Sequence, residues 1–261
     1  MTGGKIIITG ASSGIGEAVA YAFAKRGAAL YLVARRGERL QAVVGECLKL
    51  GAVRAEAGLH DLSIEGKGAE VVEAGKETLQ GLDVLICNAG YGLYGPLEEI
   101  DPAQMARLWQ VNYQSGYESI HAALPDFQQQ GRGHIVVVSS VIGKTALPLS
   151  STYCATKFAQ VGMAEALWGE LHGSGVEVSL ICPGYTKTEF ASSSVRTESA
   201  SMFNRVGGDP PETVARAIVK AVERRKRVVI LTFPGRFFWR LNRFFPNLTA
   251  RLVAWFINRN R

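Results

Sequence analysis

Apolar and polar positions along the chain fall into two alternating rhythms. Short, nearly unbroken apolar runs lie at residues 5–9, 29–34, 82–87, 134–139, 176–181 and 227–232, with a weaker one at 53–57. Between them stand longer stretches in which apolar residues recur every three or four positions: 15–26, 38–50, 65–79, 102–129, 151–171 and 211–225. The first rhythm suits strands buried on both faces, and the second suits helices with one buried stripe. Gly27 and Gly51 mark the ends of the first two helices, and Pro125 predicts a break or restart inside 102–129. Strands alternating with helices imply right-handed βαβ units and a parallel sheet covered on both sides.

Composition adds bounds. The 261 residues are 47% hydrophobic and 20% charged, the proportions of a soluble globular chain. Cys47, Cys87, Cys154 and Cys182 are widely spaced, and His60, His121, His134 and His172 share no ligand spacing. Neither a disulfide framework nor a metal site is expected, and a reducing, cytoplasmic setting fits. The first residues do not read as a secretory leader, and no run of about 18 apolar residues predicts a spanning helix.

The net charge of +6 is unevenly placed. Residues 224–261 hold ten of the 29 Lys and Arg and none of the 23 Asp and Glu, which leaves the preceding body mildly acidic. An attraction to anionic partners therefore belongs to the end of the chain and not to the whole.

Directly after the first strand comes Thr9-Gly10-Ala11-Ser12-Ser13-Gly14-Ile15-Gly16, opening a helix. Glycines at this spacing allow a tight turn, close approach of backbone to a pyrophosphate, and close helix–strand packing, while the helix N-terminus presents free N–H groups. The expected architecture is a Rossmann-like, doubly wound parallel sheet in three layers, with the chain divided into a body of residues 1–233 and a helical tail of 234–261. After the second strand stand Arg35 and Arg36 where a carboxylate would select NAD. Guanidiniums pair with a 2′-phosphate, so NADP is the expected cofactor. Asp61 and Leu62 follow the third strand, within reach of an adenine.

Tyr153 and Lys157 are four residues apart in a predicted helix, hence on one face. An ammonium beside a phenol favours phenolate and would draw its pKa down from about 10 toward neutrality, making a general acid or base. Ser140 lies at the carboxyl end of a predicted strand, where open α/β sheets bind ligands. Ser139 beside it is the competing candidate, and the spacing to Tyr153 favours Ser140. Cys154 is expected to be structural.

On these residues the sequence resembles the short-chain dehydrogenase/reductase family over roughly residues 4–232. The resemblance rests on the TGxxxGxG loop at 9–16, Asn88-Ala89-Gly90, Asn112, Ser140, Tyr153, Lys157, and Pro183-Gly184 with Thr188. It implies that Tyr153 donates a proton to the substrate's carbonyl oxygen and that Ser140 bonds the same oxygen. Lys157 would bind the nicotinamide ribose and lower the tyrosine pKa, and Asn112 would hold a water of the proton relay. Asn88, Ala89 and Gly90 would support the sheet and the cofactor edge. The segment from Pro183 through Gly184 and Thr186 to Thr188 would fix the carboxamide. Arg35 matches the position that selects the 2′-phosphate. A homodimer or homotetramer through the long helices is implied too.

Residues 185–209 would form a substrate lid, with Phe190, Met202 and Phe203 as its apolar contacts. Tyr91, Leu93 and Tyr94 either line an apolar pocket or belong to a plain loop. In the tail, Arg236, Arg240 and Arg243 share one helical face over 237–245, with Phe237, Leu241, Phe244 and Phe245 opposite, and a second apolar stretch follows Pro246. Basic, aromatic helices of this kind lie in membrane interfaces. Packing on the body or on another subunit is the alternative, and nucleic acid is the least favoured partner. The expected function is an NADP-dependent oxidoreductase acting reversibly on a carbonyl or secondary alcohol, in the reductive direction on a lipophilic ketone. The alternatives are a 3-oxoacyl-thioester reductase and a non-catalytic dinucleotide sensor. The presence of both Tyr153 and Lys157 argues against the last.

Overall fold

The computed structural model describes residues 3–200 and 208–259. Every apolar run becomes a strand, and in the central strands the two faces divide between two cores. In β1 (Lys5–Thr9), Ile6 and Ile8 face one side and Ile7 the other. The same alternation holds in β2 (Ala29–Ala34), where Leu30 and Leu32 oppose Tyr31 and Val33. Burial on both faces is what makes these strands read as continuous apolar runs. With β3 (Arg54–Leu59), β4 (Val84–Cys87), β6 (Gly133–Val138), β7 (Val176–Cys182) and β9 (Val228–Ile230) they form, among the described residues, a seven-stranded sheet in the order β3-β2-β1-β4-β6-β7-β9. Each pairing in it is parallel. A second pairing joins the short β5 (Leu93–Tyr94) to β8 (Val195–Arg196).

Helices cover both faces. On one lie α1 (Gly14–Ala24), α2 (Gly37–Lys49) and α8 (Pro211–Glu223), with Val19, Phe23, Leu40 and Ile218 in the core. On the other lie α3 (Lys67–Leu79), α5 (Ser115–Gln129) and α6 (Ser151–Glu170), with Val71, Ile120, Phe127 and Leu167. The expected three-layer α/β architecture is the observed one.

The stretch 102–129 differs from expectation in one respect. Asp101 caps α4 (Pro102–Trp109) by accepting from the Ala103 amide at 2.9 Å. The break then falls in a π-helical turn, Gln110–Gln114, and Pro125 lies uninterrupted inside α5. A proline inside a helix forfeits a hydrogen bond and costs roughly 3 kcal/mol. Here Ala123 and Phe127, both fully buried on either side of it, hold α5 in place.

The remaining elements lie beyond the carboxyl ends of the strands and in the tail. The segment 185–209 includes α7 (Phe190–Ser193) and β8, and its base is closed by Lys187 and Asp209 amides donating to Asp209 and Tyr185 carbonyls at 2.9 and 3.0 Å. Met202 and Phe203 lie outside the described residues. In the tail, Thr232 caps α9 (Phe233–Phe244), and Pro246 starts α10 (Pro246–Arg259). Among the described residues no helix is long and apolar enough to cross a membrane.

Candidate active site

The loop between β1 and α1 is built from backbone contacts that leave no room for side chains. Gly10 and Gly14 have φ of +67° and +63°, the left-handed region that favours glycine. A Cβ at Gly16 would stand 2.2 Å from the Gly10 carbonyl oxygen, and one at Gly10 would stand 2.9 Å from the Ala89 Cα. Asn88 pins the turn, its Nδ2 donating to the Thr9 and Gly10 carbonyls at 3.0 and 3.3 Å. Thr9, which the motif reading passes over as a site residue, holds the other half. Its hydroxyl accepts from the Asn88 and Ala89 amides at 2.9 and 3.0 Å and donates to the Ile86 carbonyl at 3.3 Å. The first-turn amides of α1, from Gly14, Ile15 and Gly16, have no intrahelical acceptor by helix geometry and form the positive end of its dipole. Ser13 is the N-cap, yet its side chain makes no capping bond.

That side chain turns to Arg36 instead. Arg36 Nη2 donates to Ser13 and Ser12 hydroxyls at 2.6 and 3.0 Å, and Nε reaches Ser12 at 3.2 Å. Its Nη1 pairs with Glu189 at 2.8 Å, and Arg39 bonds the same carboxylate. The bonds from Arg39 and then Arg36 hold the Glu189 carboxyl down at about 2. Arg36, Arg39 and Glu189 therefore clasp the segment 185–209 to the glycine loop. Arg35 is more exposed and stands 3.9 Å from Asp61. The Asp61 carboxylate accepts from the Ser63 amide and hydroxyl at 3.0 and 2.8 Å, which outweighs burial and keeps it below the usual range. Leu62 is buried in the core. A glycine floor and open helix amides are what the pyrophosphate of a nicotinamide dinucleotide requires, so the residues present fit that cofactor.

At the other end of the cleft, α6 carries Tyr153 and Lys157 on one buried face. Ser140 is the neighbour whose hydroxyl draws the Tyr153 phenol pKa down. Ser140 also accepts from the Ile142 amide at 3.3 Å and stands 3.5 Å from the Pro183 carbonyl. Ser139 points away, donating to the Lys157 carbonyl at 3.0 Å. The Lys157 amine lies 5.7 Å from the centre of the Tyr153 ring and donates to the Val138 carbonyl at 3.1 Å and to Gln160 Oε1 at 3.0 Å.

The expected fall of the tyrosine pKa is not what the protein's own groups produce. Burial, then Tyr94 and Cys154, push the phenol well above 10, and Ser140 works against them. The physical reason is burial of the phenol, which the Lys157 amine does not offset. That amine lies over the ring, and its own burial lowers it to about 8. Asn112 is 1% exposed and each of its polar groups has a protein partner. Oδ1 accepts from the Tyr91 amide at 3.0 Å, and Nδ2 donates to the Tyr91 carbonyl at 3.0 Å and to Thr156 at 3.2 Å. Its carbonyl accepts from Gln160 Nε2 at 2.6 Å. Gly90 sits between these groups, where a Cβ would meet Asn112 Oδ1 at 3.0 Å.

The surroundings of Tyr153 are aromatic. Tyr94 and Phe190 flank Tyr153 with ring centres 5.6 and 5.9 Å away, and Ile142 and Leu147 complete the cluster. Leu93 is fully buried in a separate small core, with Tyr91 packed against it. Cys154 is buried, and burial raises its thiol pKa. Gly184 packs on Thr232, Thr186 bridges to Asp209, and Thr188 lies against Gly14, where a Cβ would come within 3.0 Å of it. The segment beginning at Pro183 thus runs from Ser140 past the tail to the phosphate loop.

The sequence profile of the short chain dehydrogenases matches residues 4–199. Hydroxysteroid 11-beta-dehydrogenase 1-like protein A of Xenopus laevis is 34% identical over 259 residues, covering 96% of this chain and 86% of the relative. Ketoacyl reductase HetN of Nostoc sp. is 29% identical over 231 residues, covering 88% and 79%. Among solved structures, a short-chain dehydrogenase/reductase from Burkholderia phymatum in complex with NAD has a TM-score of 0.87 at 25% identity, covering 95% of each chain. A short-chain dehydrogenase from Sphingobium yanoikuyae in complex with NADPH has a TM-score of 0.80 at 30% identity, covering 94% of each. With the glycine floor, the Ser140–Tyr153 pair and these relatives together, the chain belongs to the short-chain dehydrogenase/reductase family of oxidoreductases.

Proposed function

We propose that this protein is an NADP-dependent carbonyl reductase, reversible in principle, whose substrate is a lipophilic ketone. The observation that carries the reading is the buried Tyr153, roofed by Tyr94 and Phe190, with Ser140 drawing its phenol pKa down. Gly10, Ser12, Ser13, Gly14, Ile15 and Gly16 would hold the pyrophosphate, Arg35 and Arg36 the 2′-phosphate, and Lys157 the nicotinamide ribose. Asn88, Ala89, Gly90 and Pro183 to Thr188 would line the nicotinamide end. When bound, the cofactor supplies or accepts a hydride. Tyr153 keeps its proton through neutral pH because burial raises its pKa, and it delivers that proton to the carbonyl oxygen. Ser140 donates to the same oxygen. The Lys157 ammonium offsets the negative charge left on the phenolate, and Asn112 fixes the loop at Tyr91 that borders the site.

NADP preference is supported by Arg35, Arg36 and the absence of a carboxylate directly after β2. The aromatic pocket supports an apolar substrate. A 3-oxoacyl thioester is the second reading, favoured by the ketoacyl reductase relative. A panel of steroid-like ketones, simple lipid ketones and 3-oxoacyl thioesters, assayed with NADPH and NADH in parallel, separates these. Tyr153→Phe should bind NADPH normally and lose roughly 100-fold to 10,000-fold in turnover. Unchanged turnover would remove the proposed acid.

The tail is assigned to an anionic membrane surface. Phe233, Phe237, Phe244, Phe245, Leu248 and Trp255 are exposed, beside the arginines at 236, 240, 243 and 251. The tail also borders the site: Gly235 packs on Val141 next to Ser140, and Asn242 donates to the Lys144 carbonyl at 3.4 Å. The intact protein should float with vesicles containing phosphatidylserine and not with neutral ones. Failure to float with either rejects the membrane role. Tyr117 on α5 and Phe158 on α6, both exposed, support an oligomer through the long helices, which sedimentation would read.

A further inference from the structure

One turn beyond Lys157 on α6, a buried side chain has both ends of its amide engaged. Gln160 is 4% exposed, and it spans the gap between the Lys157 amine and the π-helical turn that carries Asn112. Its Oε1 accepts from Nζ at 3.0 Å, and its Nε2 donates to the Asn112 carbonyl at 2.6 Å. The orientation of the amide is dictated by its neighbours, since an ammonium only donates and a carbonyl only accepts. The π turn explains why that carbonyl is within reach, because skipping one helical register releases carbonyls from the usual bonding pattern. Ser115 takes another, donating to the Val111 carbonyl at 2.8 Å.

We propose that Gln160 is a positioning residue for Lys157: its neutral amide tethers the amine to the Asn112 turn and keeps its charge tolerable in a buried site without neutralising it. An ammonium has three N–H donors, and Val138 and Gln160 account for two. The third remains for a ligand. Were residue 160 apolar, the buried charge would lose an acceptor and the amine would give up its proton more readily. Were it a carboxylate, an ion pair would hold the proton and draw the amine toward residue 160. The titratable groups acting on the amine, among the described residues, are the Tyr153 ring on its own helix and the Cys182 thiol on β7. Burial raises that thiol to about 12, so it stays neutral. Strand β6 and the π turn contribute the uncharged Val138 carbonyl and Asn112.

For catalysis this rests on the reading of Lys157 given above; the tether itself does not. The test therefore reads the amine directly. The full chain, labelled with carbon-13 at the lysine ε position, is titrated by NMR, with Lys157→Met to assign the resonance. Gln160→Glu should raise the midpoint by about one to three pH units, the effect of an opposite charge at close range. Gln160→Met, of similar length and without an acceptor, should lower it. Either variant alone carries a signed expectation, so one that fails to fold leaves the other decisive. A midpoint that stays put, or moves opposite to its expected sign, overturns the proposal. Active Gln160 variants should show the same displacements in the pH profile of kcat. If the midpoints move as stated while Tyr153→Phe leaves turnover intact, the tether stands and the reductase reading falls. If Tyr153→Phe abolishes turnover while the midpoints stay put, only the tether falls.

Discussion

On the cofactor side of the cleft, backbone meets backbone. Gly16 lies against Gly10, Gly10 against Ala89, and Asn88 bonds main-chain carbonyls. On the substrate side, side chain meets side chain. Tyr94, Phe190, Ile142 and Leu147 gather around Tyr153, and an exposed clasp of Arg36, Arg39 and Glu189 fastens the lid. A contact between main chains tolerates one residue type, glycine, whereas a contact between rings tolerates many. The first side is therefore fixed in chemistry and the second is free to change its substrate without disturbing the first.

The largest effect that would break this contrast is Gly16→Ala. Its methyl would stand 2.2 Å from the Gly10 carbonyl, so the loop must move. Strain of about 1–3 kcal/mol is expected, which is about fivefold to 150-fold weaker NADPH binding by fluorescence titration. Normal affinity would show that the floor yields. Phe190→Ala should leave NADPH affinity unchanged and raise KM for apolar ketones by about tenfold, from the loss of one buried ring face. An equal effect on cofactor binding would erase the distinction between the two sides. Glu189→Gln should have the smallest effect. Exposed ion pairs contribute little, so NADPH affinity should change by less than about fivefold, while limited proteolysis of the lid quickens. The same quickening should appear for the unsubstituted chain in high salt.

Legibility in the sequence follows the same division. The strands and most helices could be read because both sheet faces are buried and leave continuous apolar runs. The glycine loop could be read because its spacing follows from the turn itself. Pro125 misled because a proline's cost is local while the packing of Ala123 and Phe127 is not. The π turn has no signature in a single sequence. Neither does the pairing of Glu189 with Arg36 and Arg39, which lie about 150 positions away along the chain. Gln160 carries no mark of its role in the sequence, and Thr9 is visible only as part of a motif. The tyrosine's environment inverted the simple expectation, because spacing places an ammonium nearby without saying which acceptors it faces.

Thr9 has one more implication. A single hydroxyl rivets the ends of two neighbouring strands, joining β1 to the turn after β4. The floor of the cleft therefore has no seam along which to part, and breathing of the molecule must be one-sided. The amide protons of Asn88 and Ala89 should be among the last to exchange with heavy water, while those of the opposing rim are lost early.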